Sequence, residues 1–561
     1  MVFLMRPTPA SAPRFGSTRV VSVIVALLWL LVLTGPARAA DYYACDCAAG
    51  AAKGCIAGSD AASGTSPANA WRSYDRAQDA WGQLAAGDTL RFCRGGVFPI
   101  AGSTRWVNAQ CRAAQPCTAM AYTADWSQGG EDLPRLERVS GDAISLENGG
   151  DARHEEGYVF RDIELACTGC AGQGSGVFVY NDVDDVRLED LRIRGFGVGV
   201  FHGGSRACAA DATGCDARNA HLSLRGSDIR DNDVQGFLGA GDDLLIDGNR
   251  FDGNGRSGIL EHNVYISGDA SRVTVSNNEL YRSAARTGRC EGASLVAHGS
   301  LTDLRIEHNF LHEDLGAASP SCWGINISPA YASGETFLRT VVRGNRLHHL
   351  GNAAIALTSC VDCVVENNLI LHEQPFGITA IYASALSHEP NDATLQRLRV
   401  RNNSIQIGAA GGVGIRVGGE GTQHEIVSNA LRHTAASGGA GGGSWACLAL
   451  DLPASAYAAV DHNVCGYAAG TGREWEQGSG SLASWRVLSG LDMRSRADDP
   501  GFAGASAGSF DFAAANLAVA MIGAGHPRLS AATDFYGVAR GVPADAGALQ
   551  NADRLFADGY D

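Results

Sequence analysis

Eight short segments of this chain repeat one pattern, an apolar alternation broken by asparagine and then resumed, and nothing else in the sequence limits the fold as severely. The clearest is CVVENNLI, Cys363 to Ile370. A β-strand disfavours asparagine at its centre. Yet the interruption recurs in LLIDGNRF ending at Phe251, VTVSNNEL at Leu280, LRIEHNFL at Leu311, TVVRGNRL at Leu347, LRVRNNSI at Ile405, HEIVSNAL at Leu431 and AAVDHNVC at Cys465. The aligned asparagines are Asn249, Asn278, Asn309, Asn345, Asn368, Asn403, Asn429 and Asn463, separated by 29, 31, 36, 23, 35, 26 and 34 residues. An internal repeat of irregular period describes a solenoid whose coils carry loops of variable length.

Each repeat also holds a further strand, as in HNVYISG, ASLVAHG, WGINISP, AAIALTS, GITAIYA and GVGIRVG. Several strands per repeat, with no convincing helical period between them, make a coil, and stacked coils pair in parallel about 4.8 Å apart. Asparagine tolerates the left-handed backbone conformation in which a coil turns a corner, and stacked amides can bond from coil to coil as a ladder. Surface hairpin turns are the alternative reading. They fit poorly, because the residues flanking each asparagine are apolar on both sides. With 45% hydrophobic residues, and 72 glycines against 16 prolines, the chain can fill a large core and make many tight turns. The expected fold class is all-β, a single-stranded parallel β-helix with a stacked asparagine ladder.

Two further segments extend the pattern. Gly58 to Phe98, GSDAASGTSPANAWRSYDRAQDAWGQLAAGDTLRFCRGGVF, precedes the repeats, and DPGFAGASAGSFDF from Asp499 with DFYGVAR and ADAGALQ, between Asp534 and Gln550, follows them. Together with the repeats they resemble the right-handed parallel β-helix proteins of the pectate-lyase-like, polysaccharide-acting group. That resemblance implies a short N-terminal capping helix, for which Ser73 to Ala85 is the candidate, then a first coil at GDTL. The organisation we read is a signal peptide over 1–40, a cysteine-rich segment and cap over 41–86, the β-helix over 87–500, a closing segment over 501–550 and a tail over 551–561. The final DRLFADGYD is similar to a short tail on exported proteins of some Gram-negative bacteria.

The leader reading rests on Arg6, Arg14 and Arg19, the apolar run VVSVIVALLWLLVLT and the small-residue site GPARAA. Val20 to Thr34 is short of the roughly 20 residues a membrane span needs, which favours cleavage near Ala39 or Ala40 over an uncleaved anchor. No later segment is apolar enough to span a bilayer, so we expect a secreted or periplasmic protein with no membrane span after cleavage. Loss of the leader's four arginines and no acids takes the formal charge from −16 to −20, which argues against nucleic acid as a partner. Nothing in the sequence fixes an oligomeric state. All sixteen cysteines lie beyond the leader, and an even number in an exported chain favours disulfides. Near neighbours suggest Cys111–Cys117, Cys167–Cys170, Cys208–Cys215, Cys360–Cys363 and Cys447–Cys465, while Cys45, Cys47, Cys55 and Cys93 pair among themselves in an open order. CTGC and CVDC also admit a redox or zinc reading. Cys290 and Cys322 each stand just before equivalent strands one coil apart, within reach of a bridge.

The resemblance implies fold well and reaction poorly. The chain lacks the paired-aspartate pattern of β-helix polygalacturonases and the Asp-Pro-His-Asp motif of mannuronan epimerases, and no chondroitinase-B-like motif is legible. β-Helix lyases need a group that neutralises the uronate carboxylate, a base for the C5 proton and an acid for the leaving oxygen. Lys53 is the one lysine and lies in the cysteine-rich start, so those roles fall to Tyr, His or Arg. Aligning strands places Val264, Leu295 and Ile325 in one inward row and Ile266, Ala297 and Ile327 in the next. Tyr265, Val296 and Asn326 then face out, as do Ser267, His298 and Ser328. Around them stand Arg282, Arg286, Arg289, Glu291, His312, Glu313 and Tyr331.

We therefore take Tyr265 and His298 as catalytic candidates and Arg286, Arg289, Asn326, Tyr331 and His312 as substrate-binding candidates. Taken singly, each is also an ordinary surface residue. Glu261 and Glu291 are the carboxylate pair of an alternative glycoside hydrolase, which uses acids about 5 to 9.5 Å apart. No cofactor is expected as obligatory. Asp182, Asp184, Asp185, Asp242, Asp243 and Asp247 could hold Ca²⁺ at an oxygen-rich turn or cap turns. The function read from the sequence is binding and cleavage of an acidic polysaccharide by β-elimination, against a hydrolase and against a non-catalytic adhesin or surface protein.

Overall fold

The computed structural model describes residues 39–147, 156–203, 219–285, 287–331, 334–384, 389–408, 410–434, 446–467, 474–506 and 508–551. The leader, the Cys208–Cys215 pair and the tail beyond residue 551 lie outside the described residues. Among those described, the chain winds as a right-handed parallel β-helix with three long parallel sheets of 14, 13 and 12 strands. One coil shows the order. Val264–Ser267 lies in the 12-stranded sheet, Thr274–Ser276 in the 14-stranded sheet and Glu279–Tyr281 in the 13-stranded sheet, before Ala293–His298 begins the next coil.

The ladder runs as expected. From Asn249 to Asn429 each asparagine gives its backbone N–H and an Nδ2–H to the Oδ1 of the asparagine one coil on, at 2.9–3.1 Å. The second Nδ2 proton goes to a carbonyl of the preceding coil, for example from Asn368 to Val342. Ser227 N–H closes one end of the ladder and Ser495 Oγ the other.

The reason for asparagine differs from the one expected. None of the eight ladder residues has positive φ; the residue just before each one does, at Gly248, Asn277, His308, Gly344, Asn367, Asn402, Ser428 and His462, with φ between 52° and 68°. In an Asn-Asn pair the first residue turns the corner and the second makes the ladder. A further ladder, unforeseen, runs at the corner before the 12-stranded sheet through Asn232, Asn254, Asn263, Ser283 and Glu313.

The capping helix spans Tyr74–Trp81 and is shorter than Ser73 to Ala85, because Ser73 is its N-cap, accepting from Arg76 N–H, and Gly82 ends it. A second helix, Leu482–Ser489, was not anticipated. Its Trp485 and the strand residue Trp475 both donate to buried Asp492. Seven disulfides are described: Cys45–Cys93, Cys47–Cys55, Cys111–Cys117, Cys167–Cys170, Cys290–Cys322, Cys360–Cys363 and Cys447–Cys465. In CTGC and CVDC the two sulfurs are bonded to each other, which leaves neither thiolate free to hold zinc.

The closing segment covers one outer face of the β-helix. Phe502, Phe512, Met521, Phe535 and Leu549 pack on Leu369, Leu371, Ala430 and Val464, outward residues of the 13-stranded sheet. Among the described residues, none of that segment's apolar cluster packs on the outer face of the 12-stranded sheet.

Candidate active site

Strand register builds the site. Val264 pairs with Leu295 and Leu295 with Ile325, while Ile266 pairs with Ala297 and Ala297 with Ile327; all six are fully buried. The residues between them face outward, with Tyr265, Val296 and Asn326 abreast and Ser267 beside His298. Val296 is only 2% exposed despite its outward position, so the floor between Tyr265 and Asn326 is apolar.

His298 and Tyr265 meet edge to face, with ring centroids 5.4 Å apart and planes at 87°. His298 Nδ1 bonds the carbonyl of Ser328. A carbonyl can only accept, so Nδ1 holds the proton and Nε2 keeps a lone pair. Burial lowers the His298 pKa below the ordinary value, opposed by the Ser328 bond and by the Glu335 carboxylate. The ring is thus a neutral base at neutral pH.

Tyr265 has the complementary environment. Its hydroxyl lies 3.1 Å from that of Tyr331, which in turn lies 2.5 Å from Ser267 Oγ. Burial pushes the phenol pKa well above its usual range, with the Tyr331 hydrogen bond adding to the rise. It stays protonated and is fit to donate. His262 packs on it from the other side, centroids 5.4 Å apart, and is held by its Nδ1 against Ala293 carbonyl at 2.9 Å; burial lowers its pKa to about 4.

Tyr331 reaches the site because Glu335 folds its loop back. The Glu335 carboxylate accepts the N–H groups of Ala330 at 2.8 Å and Tyr331 at 3.0 Å, and its own N–H donates to Asp392 at 2.8 Å. Glu335 is 1% exposed. Sequence reasoning missed both Glu335 and His262. A Glu four residues after a Tyr gives no periodic signal, and His262 sits at a corner rather than in the alternation.

Asn326 stands half-buried in the floor, its Oδ1 without a hydrogen-bond partner. The remaining candidates do not converge here. His312 belongs to the 13-stranded sheet, where its Nε2 meets Glu279 at 3.1 Å and its ring stacks between Tyr281 and Phe310. The chain turns a corner between His298 and His312, so nearness in sequence does not become a shared face. Arg289 is exposed and donates to the Ala318 carbonyl at 3.2 Å. Arg286 lies outside the described residues. Glu261 and Glu291 are each tied to a hydroxyl in their own loop, Ser257 at 2.6 Å and Thr287 at 2.8 Å. Arg282 pairs with Asp252.

The aspartate group serves turns and coil-to-coil pairs. Asp184 accepts Ala220 N–H, Asp242 accepts Ser271 N–H and Oγ–H, Asp243 grips Arg272 with both oxygens, and Asp247 accepts Ser276 and Asn277. Asp182 and Asp185 take the left-handed conformation. Among the described residues, His348, His349 and Glu373 bring metal-ligand atoms together without a disulfide sulfur. His349 Nδ1 accepts Glu373 N–H at 3.3 Å, which puts the ring proton on Nε2, where a metal would need a lone pair.

Residues 137–314 match a family model described as a right handed beta helix region. No curated protein matches the chain. Similar solved structures include a GH136 lacto-N-biosidase from Eubacterium ramulus, at 13% identity and a TM-score of 0.44 over 66% of this chain and 64% of that one. Another is the catalytic unit of a GH87 α-1,3-glucanase from Streptomyces thermodiastaticus, at 13% identity and 0.44 over 72% and 66%. A third is the pectate lyase Pel9A, at 11% identity and 0.40 over 91% and 97%. The chain spans slightly less than two thirds of the lacto-N-biosidase. At these values the likeness carries no argument about chemistry.

Proposed function

We propose that the chain is a polysaccharide lyase that works outside the cytoplasm, cleaving a uronate-containing polymer on the outer face of the 12-stranded sheet. The observation that carries this reading is the pairing of a neutral imidazole whose lone pair is fixed by Ser328 with a phenol that burial keeps protonated, 5.4 Å between ring centres. In the step we infer, His298 Nε2 takes the C5 proton. The C5–H electrons form the C4=C5 double bond as the C4–O bond breaks, and the Tyr265 hydroxyl proton passes to the leaving oxygen. The Tyr331 and Ser267 hydroxyls then relay a proton from solvent to the Tyr265 phenolate, and the His298 imidazolium releases the C5 proton to solvent, which restores both groups.

The uronate carboxylate must be held while its α-carbon carries negative charge. Asn326, in the floor one strand beyond Val296, is the donor we assign, because its amide faces the same row as Tyr265. The charged group acting on His298 is the Glu335 carboxylate rather than a guanidinium. A hydrolase is disfavoured because Glu261 and Glu291 are bound separately within their loops. The disulfides support an oxidising compartment.

The test is product analysis after incubation with polygalacturonate, alginate and other uronate-rich polymers. Unsaturated uronate ends absorbing in the ultraviolet are expected. New reducing ends without unsaturation would make the chain a hydrolase, and saturable binding without products would make it a binding protein; either overturns the lyase reading.

A further inference from the structure

The same outer face carries an aromatic cluster that the chemistry of Tyr265 and His298 does not use. Phe201 lies in the outward row of Tyr265, two coils toward the N-terminus, by way of Leu238; one coil further is Phe178, with Tyr180 two residues along the same strand. Phe178 stacks on Phe201 with centroids 5.0 Å apart and planes at 13°, and on Tyr180 at 5.4 Å and 28°. All three rings are part-exposed. An outward strand position on an acidic, soluble surface ordinarily takes a polar residue. Tyr180 and Phe201 are 6.4 Å apart and tilted by 40°, so Phe178 is the ring that stacks on both, and three clustered aromatic rings there need a reason.

Gly203 shows how the cluster is shaped. A Cβ at Gly203 would stand 2.6 Å from Phe201 Cζ. The ring therefore lies down along its own strand over a position that has no side chain. It forms a low platform rather than a projecting knob.

We propose that Phe178, Tyr180 and Phe201 form a distal sugar-binding platform continuous with the catalytic groove, so that the polymer runs along the helix axis and is cleaved away from its ends. This rests on the lyase reading for the identity of the groove. The occupant is a glycan because the C–H faces of sugar rings suit the negative faces of aromatic rings, while the platform continues in register to hydroxyl and imidazole groups that bind polar edges. Two coil steps put Phe201 about 9.6 Å from Tyr265 along the axis. A short oligosaccharide filling the catalytic groove leaves the platform empty, and a polymer does not.

Phe201→Ala and Phe178→Ala are compared with Phe201→Tyr on polygalacturonate or alginate, whichever the parent cleaves, and on its shortest cleaved oligosaccharide. We expect the alanine variants to raise KM on polymer at least about fivefold, the size of one lost aromatic contact, with kcat within about twofold and the short substrate unaffected. Phe201→Tyr should match the parent. An unchanged polymer KM overturns the platform while leaving the lyase reading intact, as does equal damage on both substrates. If the parent cleaves nothing, the lyase reading fails by itself, and retardation in gels containing each polymer judges the platform: retardation abolished by Phe201→Ala supports it, and no retardation overturns it. A variant that dissociates from a dimer to a monomer with unchanged polymer affinity shows that a second copy covers the rings, and overturns it too.

Discussion

His298 gives its Nδ1 proton to the Ser328 carbonyl and turns its ring edge to face with Tyr265, 5.4 Å between centres. One contact settles the tautomer and the other sets the distance over which two protons could move on a single sugar ring. If these residues act as base and acid, His298→Ala and Tyr265→Phe should each lower kcat at least about a hundredfold while polymer binding persists. Steady-state kinetics alongside binding to the polymer would measure both. Near-parental turnover in the two variants would move the active site to other coils.

The pH profile follows from the same environment. His298 must be neutral to accept a proton, and burial holds its pKa below the ordinary 6.5. Activity should therefore rise with pH through a midpoint below 6.5 and reach its plateau by neutrality. Burial raises the Tyr265 phenol, so the descending limb should lie above the usual tyrosine range. Glu335→Gln removes a carboxylate that favours the imidazolium, and should shift the acidic limb lower still. A kcat/KM profile whose acidic limb falls above pH 6.5 would exclude His298 as the base.

Strand alternation made Tyr265, Asn326 and His298 legible, because a period of two and one aligned register fix which side chains face out. His312, fourteen residues after His298, was misplaced because the chain first passes into the 14-stranded sheet at Arg305–Glu307 and then turns at His308 into the 13-stranded sheet. Local sequence marks such corners but does not say how many remain before a chain returns to the same face. Glu335 and the Asn232–Asn254–Asn263 ladder escaped for a related reason. Their members differ in residue type, or recur at separations of 9 and 22, and join only once the coils are stacked.

The ladder gives a graded stability test. Asn345 exchanges amide bonds with Asn309 and Asn368 and also donates to Ile306 carbonyl. Asn345→Ala removes these bonds and leaves buried partners unsatisfied, so a loss of about 3 kcal/mol is expected. Asn463 ends the run, meeting Ser495 and Asp492 instead of another asparagine. Asn463→Ser should be milder. Chemical denaturation of the two variants would compare them, and equal losses would deny that the ladder acts as a connected chain of amides.

Cys290–Cys322 closes a loop of 32 residues between adjacent coils, with Cα atoms 5.2 Å apart. Replacing both cysteines by serine should lower stability by about 3 to 4 kcal/mol in the chain-entropy account. Because Arg289 precedes Cys290, the same variant would also free its loop. Denaturation midpoints unchanged within error would show that the neighbouring strands alone hold the two coils in register.

Glu313 ends the shorter ladder in the core, 3% exposed, accepting Ser283 N–H at 3.0 Å. Burial pushes its carboxyl pKa to about 8, against 4.5 for the free group. Between those values the folded chain keeps a proton that the unfolded chain releases, so this group's contribution to stability falls as pH rises through the window. Near pH 7 the deficit is about 3 kcal/mol. Burial depresses His202 to about 3 and His262 to about 4, so they act in the opposite sense, losing stability as pH falls below 6.5. Their effect cancels in a comparison of parent and variant. Glu313→Gln keeps an acceptor for Ser283 and removes the proton linkage. Its stability relative to the parent should improve steadily from pH 5 to pH 8 and level off above that. Urea denaturation at three pH values would measure the difference, and a constant offset would mean that Glu313 ionises in the folded chain much as it does in water.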